Sequence, residues 1–180
     1  MTDTKTLDMI QIAVFSAVIT ICSWVTIPLP FSLVPITLGT LGAALAGTVL
    51  GPVKGPASVM VFLALGAVGI PVFHGFTGGL GVIAGPTGGY LIGYITIALI
   101  TGMLTKEKDG RFSSVTMIAI ASVIGILSCY VLGTAYYMFL THTGFTSALM
   151  LCVIPFLPGD ALKVAAVCLL TERLRRAVIR

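Results

Sequence analysis

Residues 113–140 read SSVTMIAIASVIGILSCYVLGTAYYMFL, 28 consecutive positions without an Asp, Glu, Lys, Arg or His. A helix needs about 20 predominantly apolar residues to cross the hydrocarbon core of a bilayer, and this run exceeds that length. Working outward from it, further apolar runs fall at 10–27, 36–53, 56–72, 88–105 and 148–171, each bounded by Pro, Gly or charge. Proline-rich breaks separate them: Pro28, Pro30 and Pro35 after the first, Pro52 and Pro56 after the second, Pro71 after the third, Pro155 and Pro158 before the last. Six such runs leave little else in a chain of 180 residues. They predict an all-α integral membrane protein of six transmembrane helices, a single domain over residues 1–180.

Composition agrees. The chain is 57% hydrophobic and 9% charged, more apolar surface than one globular core of this size can hide from water. The net charge of +4 does not indicate nucleic acid, because Arg173, Arg175, Arg176 and Arg180 crowd the C-terminus without interleaved aromatics or a reading motif. They read as a solvated, membrane-proximal basic tail. Cys22, Cys129, Cys152 and Cys168 lack CxxC or metal-ligand spacing and read as buried free thiols. Lys5 precedes the first run as in a signal peptide, but no A-x-A-like site follows, so the run reads as a retained helix.

The cations set the expected orientation. Lys5 lies before the first span, Lys54 between the second and third, Lys106, Lys108 and Arg111 between the fourth and fifth, and the arginines after the sixth. Segments 28–35, 73–87 and 141–147 contain no Lys, Arg, Asp or Glu. The positive-inside rule then puts both termini in the cytoplasm and the three uncharged segments outside.

Asp160 and Lys163 are the sharpest signal. They lie inside an apolar span, where an ionisable group costs several kcal/mol unless paired or wetted. At spacing i, i+3 they share a helix face and can satisfy each other. A purely structural ion pair is one reading. A ligand site is the preferred one, because intramembrane ionisable residues usually mark ligand or ion pathways. Asp160 accepts from N–H groups and Lys163 donates to a carbonyl or carboxylate, so the ligand carries donors and acceptors on an otherwise apolar frame. Both residues fall toward the outer side, which suits uptake. His74 and His142 read as interfacial polar residues. Trp24, Phe31, Phe73, Phe76, Tyr90, Tyr136 and Tyr137 fit either an aromatic belt or a pocket wall. The glycine-dense stretch 78–89 is either a lid or a connector. Small residues at four-residue spacing, including Gly39, Ala43, Gly47, Gly51 and Gly55, read as helix packing. So, on spacing alone, does the face carrying Ala13 and Ala17. GLGVIA at 79–84 matches a loose dinucleotide pattern but lacks the preceding strand and following acid, and no GxxxxGK[ST], GxSxG or HExxH occurs.

Four short stretches in order, PITL at 35–38, GAVGIPVF at 66–73, GPTGGYL at 85–91 and PGD at 158–160 with Lys163, resemble the BioY family. These are the biotin-specific substrate-binding (S) components of energy-coupling factor (ECF) transporters. The resemblance runs over residues 11–170. It implies a six-helix domain in the cytoplasmic membrane that captures biotin from outside. It implies partners as well: a transmembrane coupling (T) subunit and two ATPase subunits that use ATP, with no cofactor in this chain and no enzymatic chemistry of its own. In this setting Asp160 and Lys163 hydrogen-bond the polar part of biotin. Asp160 is assigned to the ureido N–H groups, and Lys163 to the ureido oxygen or to the valerate carboxylate. Gly85, Thr87 and Tyr90 are further binding candidates on the segment that closes over the site. Ala13 and Ala17 become the docking face for the coupling subunit. Where the family often has glutamine after ITL, this chain has Gly39. Two alternatives remain: an S component for another vitamin, and a proton-coupled secondary transporter using Asp160. The second expects inverted repeats, and none is evident.

Overall fold

The computed structural model describes residues 2–106 and 113–178. Of the cations that set the expected orientation, Lys108, Arg111 and Arg180 lie outside the described residues, as does the side chain of Arg176. The chain is mostly helical: α1 (Thr2–Trp24), α2 (Gly39–Ala67), α3 (Leu80–Ile83), α4 (Gly88–Leu104), α5 (Val115–Thr141), α6 (Phe145–Cys152) and α7 (Leu157–Val178). Two-residue strands β1 (Thr26–Ile27) and β2 (Ile36–Thr37) pair antiparallel and pinch the segment between α1 and α2 into a hairpin. Among the described residues, Thr4–Trp24, Gly39–Ala67, Val115–Thr141 and Phe145–Arg175 are long and apolar enough to cross a membrane. Gly88–Leu104, at 17 residues, is apolar but shorter.

The second and third runs of the sequence thus fall within one helical element, α2, and the break between them comes from Gly51 rather than from the prolines. Gly51 has φ 81° and ψ −173°, a conformation essentially restricted to glycine. Pro52 then opens the second half, where a helix's first turn needs no N–H. The bend is sharp. A Cβ on Gly55 would stand 2.8 Å from the Cα of Gly47, whereas eight residues of straight helix span about 12 Å. On α4, a Cβ on Gly102 would stand 2.6 Å from the Gly51 carbonyl carbon and 2.7 Å from the Pro52 nitrogen. Small residues therefore let three backbone segments touch at the bend, the close approach on which helix association in lipid relies.

The last run also divides. Pro155 lies in a 3₁₀ turn, Ile154–Phe156, after Val153 leaves the helical region, and α7 starts at Leu157 instead of continuing from α6. α7 continues past the apolar stretch through Arg175, which is 3% exposed and hydrogen-bonded to other helices, contrary to its reading as part of a solvated tail. α2 occupies the centre, packed on α1, α4 and α7, with α5 against α4 and α7. At one end, Trp24 donates to the Pro71 carbonyl (2.9 Å) and packs its ring at a tilt against Phe76, tying the end of α1 to the segment after α2. At the other, Lys54 bonds Asp8 and Gln11, tying the bend to the first turns of α1. The cysteines are free, with Cys129 and Cys152 buried and Cys22 and Cys168 half-buried.

A Cβ on Gly51 meets no atom within 4 Å, so Gly51→Ala isolates the cost of the backbone conformation. The expected loss is about 1–3 kcal/mol, read as a lower midpoint of thermal unfolding in detergent. An unchanged midpoint shows that the bend tolerates ordinary backbone angles.

Candidate functional site

α7 begins Leu157-Pro158-Gly159-Asp160. Proline suits a first helical turn, and an aspartate there complements the positive end of the helix dipole. Three residues on, Lys163 reaches back along the same face, and the two side chains form an ion pair of 2.7 Å. Asp160 is 7% exposed and Lys163 4%. The pair is held by two further helices. Tyr130 of α5 donates its hydroxyl to Asp160 Oδ2, while Lys163 Nζ, bonded to Oδ1, also donates to Thr40 Oγ1 of α2 at 3.1 Å. An ionised carboxylate has about four lone-pair sites and an ammonium three donors. Two acceptor positions on Asp160 and one N–H on Lys163 are left over by these bonds, while the charges cancel.

The cluster lies in the wall of a partly open cavity. Val34 and Pro35 of the β1–β2 hairpin, Leu91, Ile126 and Phe156 provide apolar surface. Polar groups in the wall are bonded to the protein: Thr37 to the Tyr94 hydroxyl (3.0 Å), and His74 Nε2 to the Thr87 hydroxyl (3.3 Å). Tyr90 bonds Thr134 at 2.9 Å. Burial pushes the His74 imidazole below its ordinary value. Its neutral form then prevails near pH 7, with one ring nitrogen a donor and the other an acceptor.

Of the residues singled out from sequence, Asp160, Lys163, Tyr90 and Thr87 line this one cavity. Gly85 does not. It stands in the turn between α3 and α4, its carbonyl accepting from Gly88 N at 2.9 Å. Gly39 packs against the ring of Tyr94, where a Cβ would stand 2.7 Å from Cε2, so Tyr94 fills the space a longer side chain would occupy. His74 is a wall residue, while His142 is exposed at the C-terminal end of α5 in a left-handed conformation. Phe73 is fully buried against Phe62, a core position rather than a belt one. Ala13 and Ala17 lie away from the cavity on an exposed face of α1, flanked by exposed Ile10, Val14 and Ile21.

Compared with known protein families, residues 1–180 match the BioY family. The chain belongs to the BioY family. A biotin transporter BioY of Rhizobium etli is 36% identical over 172 residues, 92% of this chain and 91% of the relative. A probable biotin transporter BioY of Pyrococcus horikoshii is 40% identical over 143 residues, 79% of this chain and 81% of the relative. Among solved structures, a crystal structure titled as the S-component for biotin from an ECF-type ABC transporter matches with a TM-score of 0.89 at 30% identity. It covers 98% of this chain and 94% of that one.

The site in this BioY protein contains residues that sequence reasoning passed over: Tyr130, Thr40, Thr37, Tyr94 and Phe156. Tyr130 carried a usable signal, since a phenol in the middle of an apolar span needs a partner for its hydroxyl. Thr40 carried none, because threonine is at home in membrane helices whatever it touches, and Thr37 was marked only by its place in PITL. Tyr130→Phe removes one donor from a buried carboxylate and leaves the ring. It is expected to cost about 1–3 kcal/mol with the fold retained, measured by thermal unfolding in detergent. A native midpoint would show that Asp160 does not depend on this bond.

Proposed function

We propose that this chain is the substrate-binding S component of an ECF-type transporter, capturing biotin at a site open to the outside for uptake across the cell membrane. The observation that carries the reading is the Asp160–Lys163–Tyr130–Thr40 cluster in the wall of an otherwise largely apolar, partly open cavity. The cluster is electrically balanced, so it favours an uncharged polar group with both donors and acceptors. A cyclic urea is such a group. Its N–H bonds go to the free lone pairs of Asp160 and its oxygen to the remaining N–H of Lys163. The valerate carboxylate, finding the lysine already neutralised, points toward the open side of the cavity.

The same reading sets the topology. The bend at Gly51 makes α2 two crossings, which with α1, α4, α5 and α7 gives six, and both termini lie in the cytoplasm. In its support, Lys54 joins the start of α1, Gly102 near the end of α4 meets the bend, and Arg175 near the end of α7 reaches Thr48 of α2 and Thr105 at the end of α4. All of these belong to one end of the bundle, opposite the cavity. The chain works as a binding component and not as an enzyme, holds no cofactor, and relies on a coupling subunit and two ATPase subunits for energy. Its coupling subunit docks on the exposed small-residue face at Ala13 and Ala17, where backbones can approach closely.

Isothermal titration of biotin into detergent-purified, ligand-stripped protein tests the assignment, with riboflavin and thiamine as controls. Saturable binding of biotin alone is expected. Asp160→Asn weakens it by at least about tenfold, because a buried amide cannot match the carboxylate toward both Lys163 and the urea. Heat from a control vitamin and none from biotin overturns the ligand. In a second experiment, Ala13→Leu/Ala17→Leu leaves biotin affinity in detergent at its native value and lowers biotin uptake by cells expressing the partner subunits several-fold. Native uptake moves the docking face elsewhere.

A further inference from the structure

At the end of α7 away from the ligand cavity, Arg175 is buried among backbone carbonyls. Its Nε and Nη2 both donate to the Thr48 oxygen, at 2.9 and 2.6 Å, and Nη2 also donates to the Thr105 oxygen at 2.8 Å. Each carbonyl has a reason to need a donor. Thr48 would be served in a continuous helix by the N–H of residue 52, which is proline and has none. Thr105 is the C-terminal cap of α4, whose last carbonyls have no partner within the helix, and its oxygen accepts from Ser113 Oγ (2.9 Å) as well as from Arg175. A guanidinium, with several donors in a fixed plane and a positive charge suited to helix C-termini, serves both at once.

The contacts between α2 and α7 form a ladder with Arg175 as its last rung. Thr40 Oγ1 meets Lys163 Nζ (3.1 Å), Thr48 Oγ1 meets Thr171 Oγ1 (3.0 Å), and Thr48 O meets Arg175. The first two rungs are eight residues apart on both helices, so α7 and the first half of α2 run parallel in matched register. Thr48 and Thr171 are buried. In lipid, polar rungs are the directional part of helix association, since dispersion alone tolerates sliding. A shift of α7 along α2 by one turn, about 5.4 Å, would part Thr48 from Thr171 and draw Lys163 away from Thr40.

We propose that Arg175, with Thr48 and Thr171, is a positioning device for the ligand site: it fixes the axial register of α7 and so the height of Asp160 and Lys163 against Thr40. The proposal rests on the reading of that cluster as the biotin site. Arg175 touches no ligand and acts over 12 residues of helix, about 18 Å. The test uses the purified full chain in detergent, with biotin titration and amide hydrogen exchange on the ligand-free protein. Thr171→Val and Arg175→Lys are expected to raise the biotin Kd by about fivefold or more and to speed exchange at residues 157–164. Thr171→Ser keeps its hydroxyl and holds native values in both. So does Thr96→Val, which removes a comparable hydroxyl bond, Thr96 to Ser128 between α4 and α5 (2.9 Å), away from the ladder. Native Kd with faster exchange confined to the last turns of α7 overturns the proposal and leaves Arg175 a local clamp. An equal effect of Thr96→Val overturns it too, by making the effect one of general stability. Should the native protein bind no biotin, the reading of the site fails, and the exchange at 157–164 still decides the register claim. If Arg175→Lys does not fold, the Thr171 pair decides alone.

Discussion

A carboxylate and an ammonium taken together into a bilayer lose their hydration, and their attraction at 2.7 Å compensates only if their remaining donors and acceptors are also served. That condition dictates much of the architecture around Asp160 and Lys163. α7 must turn the face bearing both residues inward. α5 must bring a hydroxyl, which is Tyr130, and α2 must bring another, which is Thr40. Three helices are thereby pinned to one another at the depth where the cavity forms, and the cluster keeps two acceptor positions and one N–H to spare.

A second constraint acts at the opposite end. The bend at Gly51 needs glycine for its angles, and Pro52 after it leaves a carbonyl without its helical partner. Arg175 covers that carbonyl together with the end of α4. Glycines at 47, 55 and 102 let the backbones meet where the helices converge. A basic residue that reads in the sequence as part of a solvated tail is thus enclosed by the fold, because lipid-embedded backbone leaves few other donors for a proline-orphaned oxygen.

Between these two ends the cavity wall divides into an apolar frame and a balanced polar cluster. Tyr90, Tyr94 and His74 are bonded to threonines, so they shape the wall without offering strong unpaired charges. Such a wall discriminates by shape and by one neutral donor–acceptor pattern, and it penalises a charged group brought to its base. A cyclic urea on a compact apolar frame meets those terms, which is why the geometry and the family membership favour the same ligand.

The sequence by itself determined the solvent of this protein, the helical class, and the two charged residues of the buried cluster. Apolar length and the cost of ionisable groups in lipid are properties of composition and spacing, and 113–140 or the Asp160–Lys163 pair express them without reference to any neighbour. The motifs from PITL to PGD also carried the family resemblance. Tertiary structure alone decided which uncharged residues join them. Tyr130 and Thr40 lie 30 and 123 residues from their partners, and nothing local marks Thr40 among the many threonines. It alone decided that Gly51 and not a proline makes the bend, that Gly85 stands outside the cavity while Thr87 lines it, and that Arg175 is buried. The physical reason is common to all four. Burial and hydrogen-bond partnership are set by which helices lie against each other, and in lipid that choice comes from close packing between distant segments, whose effect no single stretch of chain contains.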